Sequence, residues 1–123
     1  MAVILLVEDE IFIRENAEWM LEDLGHNILS ACDVGEAFLH LGTLQHIDAL
    51  FVDIRLNTVV HGGYEIANEA VKSRPNLRVL YTSGSPVNAE MKAFFVEGAH
   101  FLQKPYKESQ LQDSFEGLLA ASF

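Results

Sequence analysis

Two acidic residues, Glu8 and Asp9, follow the apolar run AVILLV, and a third, Asp53, follows ALFV. A lysine and a proline, Lys104-Pro105, end a later apolar run, HFLQ. Each run is short and breaks into charge at its C-terminal end. In a parallel α/β sheet those ends share one edge, and ligands bind there. The four charged residues then converge from distant parts of the chain onto one pocket. Three carboxylates packed together repel one another unless a cation joins them. The pattern therefore describes a divalent-metal site with a spare carboxylate and a lysine, an arrangement suited to a phosphoryl group.

Asp53 is the candidate nucleophile, because a carboxylate oxygen can attack phosphorus and form an aspartyl phosphate. Asp9 would hold Mg2+ (or Mn2+) directly, with Glu8 beside it or acting through a water. Mg2+ takes a few carboxylates together with waters and phosphate oxygens, which matches this inventory. Lys104 would reach the same oxygens as a point charge. Thr82, in LYTSG at the end of another apolar run, offers a hydroxyl at the same edge. Positioning and charge neutralisation would supply most of the catalysis. Taken singly, each residue also has a structural reading: Asp9 as a helix N-cap, Thr82 as a turn residue, Lys104 as a surface lysine. The joint pattern at four strand ends is what points to chemistry.

Short apolar runs alternate with amphipathic segments throughout. The patterns predict strands near Val3–Val7, Asn27–Ala31, Ala49–Asp53, Arg78–Thr82 and His100–Gln103. They predict helices near Ile11–Leu24, Val34–Leu41, Tyr64–Lys72, Asn88–Glu97 and Glu108–Ala121. Gly25 and Gly98 stand where helix C-caps belong, and Pro75 is a stop signal. Gly62-Gly63 is read as the turn into the third helix. The third and fifth strands show little alternation, as strands buried on both faces do. Repeated strand–helix units imply an α/β, doubly wound five-stranded parallel sheet with helices on both faces. In the first helix Ile13, Ala17, Met20, Leu21 and Leu24 form a core stripe. Phe12, Asn16 and Trp19 lie on another face, where the aromatics are either covered by a neighbouring element or form a partner surface.

The chain has 123 residues, so a single domain over 1–123 is expected. Hydrophobic residues make up 50%, enough for a two-sided core. No apolar run approaches the roughly 20 residues of a membrane span. The N-terminal run has no basic leader and is read as a first strand, not a signal peptide. The lone Cys32 cannot form an intrachain disulfide, and a cytoplasmic setting fits. The net charge is -10, with only 8 Lys and Arg and no basic footprint, so direct nucleic-acid binding is not expected. The five histidines, His61 among them in the loop after Asp53, lack metal-ligand spacing.

The pieces LLVEDE, LFVDIRL, LYTSG and FLQKPY, taken together, resemble the receiver domain of two-component response regulators over essentially the full length. The resemblance implies the flavodoxin-like (β/α)5 fold with strand order 2-1-3-4-5. It implies that Asp53 accepts a phosphoryl group from a phosphohistidine on a histidine kinase or phosphotransfer protein. Glu8 and Asp9 look like the metal-binding acid pair, and the backbone carbonyl of Arg55 would be a further metal ligand. Thr82 and Phe101 look like the switch pair, and Lys104 like the phosphate-sensing lysine. Phosphorylation adds charge and acceptor oxygens, Thr82 turns toward them, and Phe101 rotates into the vacated space. That reshapes a face carrying Met91, Phe94, Phe95 and Tyr106. Output passes to a downstream protein, and pairing of two copies on activation is a further expectation.

Some residues depart from the family pattern. The loop after Asp53 lacks the proline many receivers carry and is longer. Phe101 has no hydroxyl, so a tyrosine hydrogen-bond switch is excluded. Glu8 stands where Asp is commoner, which favours an indirect metal contact. Arg55 and Gly84 occupy positions that tune dephosphorylation in the family. A receiver cut from a hybrid kinase or longer regulator is an alternative. A small Mg2+-dependent phosphatase is the alternative from a different class, but it needs an acid where Arg55 stands. A phosphate-independent binding module would be favoured by loss of Asp53 or Lys104, and both are present. A flavin-binding relative would need a hydroxyl- and glycine-rich phosphate loop after the first strand.

Overall fold

Parallel neighbours in a sheet cannot be joined by a tight turn, so every strand must hand over to a crossover element. The computed structural model, which describes residues 1–57 and 59–120, follows that rule from end to end. Strands β1 (Val3–Val7), β2 (Asn27–Ala31), β3 (Ala49–Asp53), β4 (Arg78–Ser83) and β5 (His100–Gln103) alternate with helices. These are α1 (Ile11–Asp23), α2 (Val34–Leu41), α3 (Gly62–Ser73), α4 (Ala89–Lys92) and α5 (Glu108–Ala120). The sheet order is β2-β1-β3-β4-β5, with every pair parallel. After β1 the chain runs outward to β2 and returns on the other side of β1 as β3. The connections leaving β1 and β3 therefore part, and a crevice opens at their C-terminal ends.

Register places the chemistry at that crevice. Val7 pairs with Val52, Asp53 with Thr82, and Ser83 with Gln103. Glu8, Asp53, Thr82 and Lys104 therefore end their strands at one level. Alternate side chains along each strand face opposite layers. Leu5, Val7, Leu50, Val52, Val79 and Tyr81 pack with Ala37, Ile66, Ala67 and Ala70 of α2 and α3. Ile4, Leu6, Phe51 and Leu80 pack with Ala17, Met20 and Leu21 of α1 and with Leu111, Phe115 and Leu118 of α5. Burial on both faces is why these strands read as unbroken apolar runs.

Local signals account for most boundaries. The Glu10 carboxylate caps α1 by accepting from the Phe12 and Ile13 N–H groups, and Gly25 follows the helix at φ +92°. α1 ends at Asp23 rather than Leu24. α3 begins two residues before Tyr64 and runs one past Lys72, while β4 gains Ser83. The predicted end of the fifth helix, Ala121, lies outside the described residues. Among the described residues no helix is long and apolar enough to cross a membrane.

Three expectations need correction. The fourth helix was expected over Asn88–Glu97 and covers only Ala89–Lys92. Beyond it the Phe94 and Phe95 N–H groups turn back to the i−3 carbonyls of Met91 and Lys92. The Val96 N–H, which a continuing helix would give to Lys92, donates instead to the Tyr81 hydroxyl at 3.2 Å. A tertiary acceptor thus outcompetes the helix, and Gly98 serves the turn into β5 rather than a helix cap. The fifth strand, expected to be buried on both faces, is an edge strand and half-exposed. Gly62 and Gly63 are not needed for a turn conformation; they are the buried first residues of α3.

Gly63 is required for close approach. Its N–H donates to the Ile54 carbonyl at 2.8 Å. A Cβ built there would overlap the Asp53 carbonyl oxygen and lie 2.8 Å from Ile54 Cα. At Gly62 a Cβ would meet only side chains, those of Leu56, Val34 and Val59, each at 3.3 Å. Backbone cannot yield as a side chain can. Gly63→Ala is therefore expected to lower stability by about 1–3 kcal/mol in urea unfolding, and Gly62→Ala by clearly less. Equal costs at the two positions would refute the close-approach account.

Candidate functional site

Lys104 is drawn into the crevice by the end of β5, its backbone N–H bonded to the Ser83 carbonyl at 2.9 Å. The Lys104–Pro105 peptide bond is cis. Its ammonium lies 2.7 Å from Asp53 Oδ2 and 2.6 Å from Glu8 Oε1, and only 15% of its side chain is exposed. Glu8 is 2% exposed, and its other oxygen accepts the Glu10 N–H at 3.1 Å. Arg14 of α1 donates to the Glu8 carbonyl at 3.0 Å and fixes the β1–α1 turn. Asp9 is half-buried; it is not the N-cap of α1, and its Oδ2 accepts the Asn57 N–H at 2.8 Å. One carboxylate oxygen from each of Glu8, Asp9 and Asp53 lies within 4.8 Å of the others. Thr82, paired in register with Asp53, is 3% exposed and leaves its hydroxyl without a hydrogen-bond partner among the described residues.

One ammonium serves two buried carboxylates, and a third stands beside them. Burial pushes the Glu8 carboxyl up to about 7, against the pull of the Lys104 hydrogen bond. Burial also raises Asp53, although Lys104 works in the opposite direction. For Lys104 itself burial favours the neutral amine, but the bonds to Asp53 and Glu8 outweigh it, and the net shift is upward. The cluster is thus short of positive charge: three carboxylates against one ammonium leave a formal excess of two negative charges. Hard carboxylate oxygens with uncompensated charge are what Mg2+ or Mn2+ takes, so the donor set fits a divalent cation.

Cys32, Asp33 and Glu36 also bring ligand-type atoms together. That group is a helix cap: Asp33 accepts the Glu36 N–H and Glu36 accepts the Cys32 N–H.

The other predicted residues separate into two surfaces. Phe12 and Trp19 are 76% and 63% exposed, so among the described residues no neighbouring element covers them. Phe12, Ile13 and Asn16 line a groove of about 620 Å³ with Gly84, Lys104 and Tyr106. Tyr106 is half-buried, its ring 5.7 Å from Phe51, so most of it belongs to the core. On the other side Phe95 stacks on Tyr81 at 4.4 Å and faces Phe101 at 6.2 Å, while Phe94 is exposed. Phe101 pairs with Tyr81 in register. Arg55 is exposed, two residues beyond Asp53. His61 is exposed but packs on Phe94 at 4.9 Å and Tyr64 at 5.4 Å. Asn57 and Tyr81 also shape the site, and sequence reasoning did not single them out; Gly63 shapes it too, although the sequence reading gave it a turn. The double glycine was the one available signal.

The model of the response regulator receiver domain matches residues 4–116. The chain belongs to this family. Among curated proteins this receiver is 26% identical over 116 residues to the probable transcriptional regulator ycf27 of Cyanophora paradoxa, covering 94% of this chain and 47% of that protein. The chain thus spans about half the length of the curated relatives it matches. A response regulator receiver protein from Sinorhizobium medicae superposes with a TM-score of 0.89 at 28% identity, covering 99% of this chain and 97% of the other. NtrX from Brucella abortus superposes at 0.84 with 30% identity over 98% of this chain and 26% of its own. The CheY-like receiver of Methanospirillum hungatei, at 0.87 and 23% identity over 99% of this chain and 96% of its own, shares the fold. A receiver of two-component signalling works through phosphorylation, and this chain has that domain's sheet order and its crevice.

The electrostatics carry a sign. The folded-state value of Glu8, about 7, lies above its ordinary value of 4.5, so the fold binds its proton more tightly than the unfolded chain does. That contribution is fully present below about pH 4.5 and is lost as pH rises toward 7. His26, held below its ordinary value by burial, acts in the opposite direction below pH 6.5. Comparison of wild type with Glu8→Gln in EDTA isolates the first contribution. The melting temperature of wild type should fall relative to Glu8→Gln between pH 5 and 7; a constant difference would remove the assignment.

Proposed function

We propose that this receiver, residues 1–123 acting as one domain, accepts a phosphoryl group on Asp53 from a phosphohistidine of a histidine kinase or phosphotransfer protein. The observation that carries the proposal is the convergence of the Lys104 ammonium on Asp53 at 2.7 Å beside a buried Thr82 hydroxyl that has no partner among the described residues. In the transfer an Asp53 carboxylate oxygen attacks phosphorus. The N–P bond of the donor breaks, and the donor's ring nitrogen keeps its electron pair. Glu8, Asp9, Asp53 and the Arg55 backbone carbonyl would hold Mg2+ (or Mn2+), which when bound supplies charge neutralisation for the phosphoryl oxygens. Lys104 exchanges its carboxylate contact for a phosphoryl oxygen and stabilises the charge that Asp53 gains.

Thr82 turns its hydroxyl to donate to the phosphoryl group. The space it leaves admits Phe101, which already faces Phe95 at the surface end of the aromatic row. The face bearing Met91, Phe94 and Phe95 then changes shape, and a downstream protein reads it. Phe12 and Trp19, exposed on α1 beside the groove that reaches Lys104, are the docking residues for the phosphodonor protein. Pairing of two copies on phosphorylation belongs to the same reading. A net charge of -10 disfavours nucleic-acid contact and suits protein partners; a cytoplasmic setting without membrane contact belongs to the same reading.

Intact mass after incubation with acetyl phosphate tests the chemistry. Wild type with Mg2+ should gain about 80 Da, one phosphoryl group; wild type without Mg2+ and Asp53→Asn should not. Full uptake by the variant would move the nucleophile elsewhere. Phe12→Ala and Trp19→Ala should each slow transfer from a cognate phosphodonor protein by about tenfold while leaving acetyl phosphate uptake unchanged. Equal protein-to-protein rates would return both aromatics to plain surface residues.

A further inference from the structure

The loop that follows Asp53 reaches back across the crevice to Asp9. Leu56 and Val59 exchange two backbone hydrogen bonds, at 3.1 and 2.8 Å. Both flanks of this bridge are tied to the fold. Leu56 is 1% exposed in the core, the Gly62 N–H returns to the Val59 carbonyl, and the Gly63 N–H returns to Ile54. Asn57, next to Leu56, stands at φ +53°. That left-handed conformation is tolerated by Asn and Gly, disfavoured by β-branched residues and closed to Pro. It aims the Asn57 N–H at Asp9 Oδ2, 2.8 Å away and 48 residues distant in sequence.

We propose that Asn57 is a positioning residue whose backbone N–H holds the Asp9 carboxylate against Glu8 and Asp53, so that the three can share a divalent cation. The proposal rests on the reading of Asp9 as a metal ligand. Asp9 is half-buried at the mouth of the crevice, and its charge is repelled by two neighbours. Rotation toward solvent would relieve that repulsion. A charge-assisted hydrogen bond from the backbone opposes the rotation, and it leaves lone pairs of the carboxylate for the ion. The longer loop thus supplies a second-layer donor, and the positive φ at Asn57 is the condition for its aim.

The test is calorimetric titration of the full chain with Mg2+, for wild type, Asn57→Gly, Asn57→Val and Asn57→Pro, each shown to be folded by thermal melting in EDTA. Gly keeps the N–H and the conformation; Val resists the conformation; Pro removes the N–H. Asn57→Gly should bind within about twofold of wild type, whereas Asn57→Val and Asn57→Pro should bind about tenfold or more weakly. Should the proline variant not fold, the valine variant decides. In 1H–15N spectra the Asn57 amide proton should shift upfield in Asp9→Asn, as a donor that loses a charged acceptor. Wild-type affinity in both Val and Pro variants, or equal loss in Asn57→Gly, overturns the positioning role alone. Absence of Mg2+ binding by wild type overturns the metal reading and this role with it.

Discussion

A single ammonium held between two buried carboxylates is the constraint around which the crevice is organised. Removing charged groups from water is costly, and the mutual attraction offsets that cost only with good geometry and further hydrogen bonds. Here the geometry comes from the sheet. Three strands deliver Glu8, Asp53 and Lys104 to one level, and the Glu10 N–H satisfies the remaining oxygen of Glu8. Loss of Lys104 would leave two carboxylates unpaired within the protein. The site therefore holds its charges in tension, and any anion that drew Lys104 away would unbalance both carboxylates at once.

Much of this was legible in the sequence, because the strands that build the site are buried on both faces and stop abruptly at charge. Asp53 and Thr82 could be placed at one edge before their pairing was seen, since strand ends in a parallel sheet share an edge. Other features were hidden, and for physical reasons. The periodicity of residues 88–97 is helical, but the acceptor that interrupts it is the Tyr81 phenol on β4, 15 positions from its donor Val96 and outside any local pattern. The fifth strand is apolar because one face is covered and the other lies at a half-open edge. Gly62-Gly63 reads as a turn signal, whereas the demand at Gly63 is room for the Asp53 backbone. Asn57 gave no signal, since its contribution is a backbone N–H and not a side chain.

A continuous row of rings joins the crevice to the surface. Tyr64 stands 5.5 Å from Tyr81, Tyr81 stacks on Phe95, and Phe95 faces Phe101. Rings in such contact move by discrete repacking, not by gradual deformation, because interiors are close-packed. Tyr81 has two duties in this row. Its ring fills the α3 side of the sheet, and its hydroxyl holds the Val96 N–H. Burial raises that phenol to about 12, so it stays a neutral hydroxyl throughout the physiological range.

The one-turn α4 has a consequence for how the molecule breathes. A helix of four residues lies far below the length at which helices persist on their own, since nucleation is costly and few bonds repay it. Its cohesion comes from the Asn88 cap, two i−4 and two i−3 backbone bonds, one tyrosine hydroxyl and the packing of Met91, Phe95 and Val96 on the core. Segments of this kind open and close locally at small free energy while the rest of the fold stays intact. Among the described residues the shortest helix is thereby the one that depends most on bonds from outside itself.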